Sequence, residues 1–253
     1  MRRLALALVG LLAASGAMVQ AAEVKVLTAG AFKPVVQDLA PAFEAAGDRL
    51  VIQNDTAGAL LRRIEAGEAF DLLVLPRDGL ERLAQQGRVT GAVPLARVAI
   101  GVAVKEGAPK PDISSVAAFR ATLLAAPSVA YIDPAAGGSS GIYLAGLFER
   151  LGIADAIKAK AVLVPGGLVA TRVADGRASV ALHQMSELLV VPGVTIVGVL
   201  PAEIQNHTVY AGAIATQAPQ AEAARRLLAM LAMLAGPEGA SVLRKRGMEP
   251  PNG

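Results

Sequence analysis

The segment Gly137-Gly138-Ser139-Ser140-Gly141 has the Gly-x-Ser-x-Gly spacing of an activated serine, with Asp155, Asp175, His183 and His207 downstream in α/β-hydrolase order. A nucleophile elbow needs its serine at a tight turn directly after a strand. Here Asp133 to Gly138 put six residues between Ile132 and Ser139, and no His-Gly-Gly oxyanion segment precedes them. A serine hydrolase is therefore disfavoured. The two histidines, His183 and His207, are not joined by a His-Glu-x-x-His helix and make no metal site. The chain has no cysteine, which excludes disulfides, thiolate zinc sites, iron–sulfur clusters and a cysteine nucleophile. No metal and no cofactor are expected.

A different chemistry is written in four turns rich in small residues. They are Thr28-Ala29-Gly30-Ala31, Asn54-Asp55-Thr56-Ala57-Gly58-Ala59, the stretch from Asp133 to Gly141, and Pro165-Gly166-Gly167. Each separates a strand pattern from a helix pattern. In open α/β sheets such turns lie at the carboxyl ends of strands, where ligands bind. Glycine and alanine there let a ligand reach backbone N–H groups, and helix N-termini favour an anion. One such turn would be an ordinary connection; the set of four predicts a small-anion site between two lobes.

The elements that must position these turns follow from periodicity. Val24 to Leu27, Leu50 to Ile52 and Asp71 to Leu75 read as strands, alternating with helices at Pro34 to Ala46, Leu60 to Ala66 and Gly79 to Gln86. This βαβαβα order requires crossovers and so a parallel sheet covered by helices. A second series has strands at Val98 to Val104, Val129 to Ile132, Ala161 to Val164 and Ser179 to His183. Its helices are Val116 to Ala125, capped by Ser115, then Ile142 to Leu151 and Leu168 to Asp175. A strand from Thr208 to Thr216 and helices at Pro219 to Ala235 and Ala240 to Arg246 finish the chain. The expected fold is α/β with two lobes, each a mostly parallel sheet flanked by helices.

The chain has 253 residues, of which 54% are hydrophobic and 18% charged, enough apolar surface for one or two globular domains without covalent staples. Met1 to Ala21 pairs Arg2-Arg3 with a Leu- and Ala-rich stretch and small residues before the cleavage point, the pattern of a secretory signal. Its apolar part, broken by Gly10, Ser15 and Gly16, is short for a spanning helix. The protein is thus expected in the periplasm. Without Arg2 and Arg3 the charge balance is near neutral, and with no tryptophan and no basic run longer than Arg244-Lys245-Arg246, nucleic acid is not an expected partner.

Several motifs in order resemble the periplasmic molybdate-binding proteins of ABC transporters. They are Val24 to Ala31, Thr56 to Gly67 followed by Phe70-Asp71-Leu72, Asp133-Pro134 leading to Ser140-Gly141-Ile142-Tyr143, and Gly236-Pro237-Glu238-Gly239-Ala240 before Gly247. The resemblance spans nearly the whole exported chain. It implies a type II periplasmic-binding-protein fold, with 22–94 plus 211–253 as one lobe and 95–210 as the other. The chain would cross between lobes near Pro94 to Arg97 and again near His207 to Ala211. It further implies a monomer that hands a small anion to an ABC permease.

The same resemblance marks departures at the ligand. The family's two first-lobe serines align with Ala31 and Ala57, its second-lobe positions with Ser140 and Val169, and its tyrosine with His183. Exchanging hydroxyls for an imidazole suits a carboxylate better than a caged oxyanion. Arg77 and Arg172 are placed to add bidentate carboxylate contacts, unless they are solvated surface charges. The expected ligand shell is Thr28, Gly30, Ala31, Thr56, Ala57, Gly58, Arg77, Ser139, Ser140, Val169, Arg172 and His183. A carrier of an organic or molybdate-like anion is the first expectation. Periplasmic aconitate isomerases resemble the same group, and the alternative is such an enzyme with His183 as the proton-transfer residue.

Overall fold

The computed structural model describes residues 21–252, so the signal expected over 1–21 lies outside the described residues except for Ala21. Among the described residues no helix is long and apolar enough to cross a membrane.

The first half runs β1 (Glu23–Ala29), a 3-10 turn (Gly30–Phe32), α1 (Lys33–Glu44), β2 (Arg49–Asp55), α2 (Ala57–Glu65), β3 (Leu72–Pro76) and α3 (Arg77–Gln85). A long β4 (Val89–Lys105) leads to α4 (Val116–Ala125), β5 (Val129–Ile132), α5 (Ser139–Arg150), α6 (Ala154–Lys158), β6 (Ala161–Val164) and α7 (Thr171–Ala174). Then follow β7 (Val180–Gln184), α8 (Met185–Leu188), β8 (Val194–Val199), β9 (His207–Ala215), α9 (Ala221–Met233), α10 (Ala240–Lys245) and β10 (Met248–Glu249). Local chemistry explains the starts of two helices. Thr56 Oγ1 accepts from Ala59 N at 3.2 Å, and Ser115 Oγ accepts from Ala118 N at 3.1 Å, each satisfying an orphan N–H of the first turn. α9 buries Ala223, Ala224, Leu227, Leu228 and Leu231 and leaves Arg225 and Arg226 outside the core, as a packed soluble helix does.

Strand order is β2-β1-β3-β9-β4-β7-β5-β6, with β10 and β8 also paired to β4. The β1–β2, β1–β3, β5–β6 and β5–β7 pairs are parallel, which gives each half the crossover trio read from periodicity. β4 and β9 run antiparallel to their neighbours, so each sheet becomes mixed where these strands join it. β4 is continuous through both halves but changes partners along its length. Val89 to Ala99 pair with β9, whereas Ile100 to Val104 pair with β7.

The expected strand Val98–Val104 is therefore the second part of a 17-residue strand. The β4–β9 register shifts between Thr90 and Val93 and again between Pro94 and Ala96, irregularities that let one strand carry Gly91 and Pro94. The short β8 was not anticipated either.

The buried residues fall into separate cores. Leu27, Phe32, Leu73, Leu75 and Leu227 belong to one half. In the other half, side chains alternate along β5, with Val129 and Tyr131 in one cluster and Ala130 and Ile132 in a second. That period of two places packed helices on both faces of the sheet.

Candidate functional site

Four strand-to-helix turns converge as expected for an α/β protein, and they line a narrow cavity of about 40 Å³. Ala29, Gly30 and Ala31 follow β1; Asn54, Asp55, Thr56 and Ala57 join β2 to α2. Opposite them stand Gly138, Ser139 and Ser140 at the start of α5, and His183, Gln184 and Glu187 at the β7–α8 junction, with Tyr210 of β9. α5 begins at Gly138 with no side-chain cap, so its first N–H groups and dipole are available to an anion. The two sides touch directly. Thr56 Oγ1 donates to Ala136 O at 2.6 Å, and Gly58 N–H donates to Gly137 O at 3.0 Å.

The cavity brings together Gly30, Ala31, Thr56, Ala57, Ser139, Ser140 and His183 from the expected shell. The other five lie elsewhere. Thr28 is fully buried and its hydroxyl donates to Ala29 O at 3.1 Å, while Val169 is a core residue with no exposed surface. Gly58 spends its N–H on the contact with Gly137. Arg77 is not in the cavity lining: its side chain is 59% exposed and paired with Glu81, four residues on along α3, at 2.7 Å. Arg172 on α7 is also outside the lining; the Asp175 carboxylate near it is held by Arg177, with Arg172 adding only a lesser charge effect. Among the described residues no arginine lines this cavity, and Arg77 is committed to Glu81.

The residue that sequence reasoning missed is Glu187. Its Oε2 lies 3.3 Å from His183 Nε2, and the two side chains are only 11% and 3% exposed. Burial strips the hydration that each charged form needs. It pushes the His183 imidazole down to about 3 and the Glu187 carboxyl up to about 8. At neutral pH the site therefore holds an uncharged imidazole beside a carboxylic acid, a proton acceptor and a proton donor side by side. Burial, then the nearby Glu187, raises the Tyr210 phenol, so it remains protonated as well.

Gln184 ties the site together, its Nε2 donating to Ser139 Oγ at 3.1 Å and to Thr208 Oγ1 at 3.0 Å. His183 Nδ1, Gln184 Oε1 and Ser186 Oγ are buried without a hydrogen-bond partner in the protein, unusual in a native interior and typical of a functional site. The signal for Glu187 was a carboxylate four residues after His183. It is legible only once the intervening α8, four residues long, turns the chain back.

The pair makes stability depend on pH in a defined way. Between 3 and 6.5 the unfolded histidine binds a proton that the folded one refuses, so stability rises with pH. Between 4.5 and 8 the folded glutamate keeps a proton that the unfolded one has lost, so stability falls as pH rises. The two slopes oppose each other from 4.5 to 6.5, leaving a flat top, with a decline from 6.5 to 8. Thermal denaturation of Glu187→Gln against the unaltered protein should show a Tm difference that moves in favour of the variant as pH rises from 4.5 to 8. A pH-independent difference would contradict the raised carboxyl.

Residues 24–249 match the family described as bacterial extracellular solute-binding protein. The chain belongs to that family. Within it, this solute-binding-family protein is 38% identical over 257 residues to an aconitate isomerase of Pseudomonas sp., a match covering 97% of this chain and 95% of that one. Among solved structures, the periplasmic molybdate-binding protein of Azotobacter vinelandii superposes with a TM-score of 0.69 at 19% identity, over 89% of this chain and 98% of that one. The sulfate-binding protein of Mycobacterium tuberculosis H37Rv gives 0.72 at 19% identity, over 90% and 87%. These neighbours establish the two-lobe periplasmic-binding-protein fold; at such identities they carry the fold alone.

Proposed function

We propose that the cleft binds the aconitates and interconverts their cis and trans isomers. The observation that carries this reading is the buried pair His183–Glu187, 3.3 Å apart and lining the cavity. The aconitate isomerase relative supports it. The reaction moves a proton along a three-carbon allylic system. His183 takes a proton from the methylene next to a carboxylate, and the C–H electron pair moves into a new double bond to the central carbon. The old double bond's electrons then take the proton of the Glu187 carboxylic acid at the formerly vinylic carbon. The pair is left as imidazolium and carboxylate, and transfer of one proton between them restores the starting state. Charge developing on the substrate carboxylate is met by the N-terminal amides of α5, whose first turn has no side-chain cap, and by the hydroxyls of Ser139 and Ser140. An uncharged Glu187 also spares an anionic ligand the repulsion of a buried carboxylate.

The second reading, favoured by the family match itself, is a periplasmic carrier that delivers a small anion to an ABC permease. It uses the same cleft, with the signal at 1–21, lobes at 22–94 plus 211–253 and 95–210, and a monomeric protein. Proton NMR of the purified protein with cis-aconitate separates the two. Accumulation of trans-aconitate is expected; tight, reversible binding without interconversion would leave the carrier. Stabilisation by molybdate or sulfate alone, at micromolar concentration, would overturn the aconitate reading.

A further inference from the structure

A second cavity, of about 370 Å³, opens beside the first and shares Gly30, Asn54, Gly167 and Glu187 with it. The two spaces are neighbours, with Glu187 lining both. The inner cavity is lined by Asp55 and Glu187 but by no lysine or arginine, an odd lining for a ligand with several negative charges. The outer cavity supplies two cations, Lys33 and Arg246. Arg246 is committed, its Nε donating to Asp38 Oδ2 at 2.7 Å with a second bond from the same guanidinium to Asp38 Oδ1. Among the described residues Lys33 has no ion pair, and no hydrogen bond from its ammonium is found. It also occupies the first position of α1, where a cation opposes the helix dipole, so helix stability does not account for it.

We propose that Lys33 and the outer cavity form a subsite for the third carboxylate of a tricarboxylate, beyond the two held in the inner cavity. This rests on the polycarboxylate reading of the cleft but not on catalysis, since a carrier would use the same contact. A compact tetrahedral oxyanion would occupy the inner space and leave Lys33 untouched. A propene tricarboxylate has one more carboxylate arm than the inner cavity's turns need to hold, and the Lys33 ammonium lining the adjoining cavity can give that arm a charge-assisted hydrogen bond. Lys33 is thereby a specificity residue that favours three carboxylates over two.

The test compares trans-aconitate with mesaconate, which replaces the CH₂–carboxylate arm by a methyl group, in calorimetric titrations of the full protein. Lys33→Gln should weaken trans-aconitate by about tenfold or more and mesaconate by less than about threefold, given the usual strength of a hydrogen bond to a charged group. Lys33→Arg should restore most of the trans-aconitate affinity. Undiminished trans-aconitate binding by Lys33→Gln, or equal losses for both ligands, would overturn the subsite while leaving the polycarboxylate reading intact. Absence of trans-aconitate binding by the unaltered protein would overturn that reading and the subsite with it.

Discussion

Replacing His183 with Ala is expected to lower kcat for aconitate interconversion by about two to four orders of magnitude, the usual contribution of a positioned acid or base. Affinity for trans-aconitate should change by less than about tenfold. The separation arises because the imidazole takes its proton in the transition state, whereas helix-end amides and hydroxyls hold substrate and transition state alike. Glu187→Gln should show a similar loss, since an amide keeps a hydrogen-bond donor in place but has no acidic proton to give. The pH profile adds a second check. The carboxylic acid form of Glu187 is required, so the rate should fall as pH rises through about 8, with no fall on the acid side until His183 protonates near 3. Steady-state kinetics together with calorimetry read all of these, and a His183→Ala protein with normal kcat would remove the imidazole from the mechanism.

Gly58→Ala should impair ligand capture through geometry alone. A Cβ at position 58 would stand 2.7 Å from Gly137 Cα, and one at position 137 would stand 2.6 Å from Gly58 Cα. Both obstacles are backbone, which cannot rotate away as a long side chain would. The two sides of the cleft meet at this point through Gly58 N–H to Gly137 O and Thr56 Oγ1 to Ala136 O. We expect the two sides to part when ligand enters, so that the added methyl strains only the form in which they touch. Overpacking of this kind costs about 1–3 kcal/mol, which corresponds to an affinity loss of roughly 5–150-fold. The Tm of the unliganded protein should change little. Ligand titration and thermal denaturation of the variant check the prediction, and unaltered affinity would show that closure does not require the contact.

How much of this was legible in the chain differs between levels. Hydrophobic periodicity placed β1, β3, β5, β6 and α1 to α5 within a few residues of their observed limits, because each is recognised from side chains three or four residues apart, or two. The small-residue turns marked Gly30, Thr56, Ser139 and Ser140 as lining the cleft, since the end of a strand in a crossover unit has a predictable place. Periodicity missed the first part of β4, where the strand carries Gly91 and Pro94 across two register shifts.

The chemistry depended on contacts that no local pattern encodes. Thr56 meets Ala136, 80 residues away, and Tyr210 of β9 joins the same cavity as Gly30. Arg77 and Arg172, attractive as carboxylate ligands in the sequence, lie outside that cavity, Arg77 being paired with Glu81 along its own helix. His183 was visible as a residue, but its uncharged state and its partner Glu187 were not. Sequence spacing sets which elements form. Only packing decides how much water each ionisable group loses, and that loss turns an ordinary histidine and glutamate into a neutral base and a neutral acid.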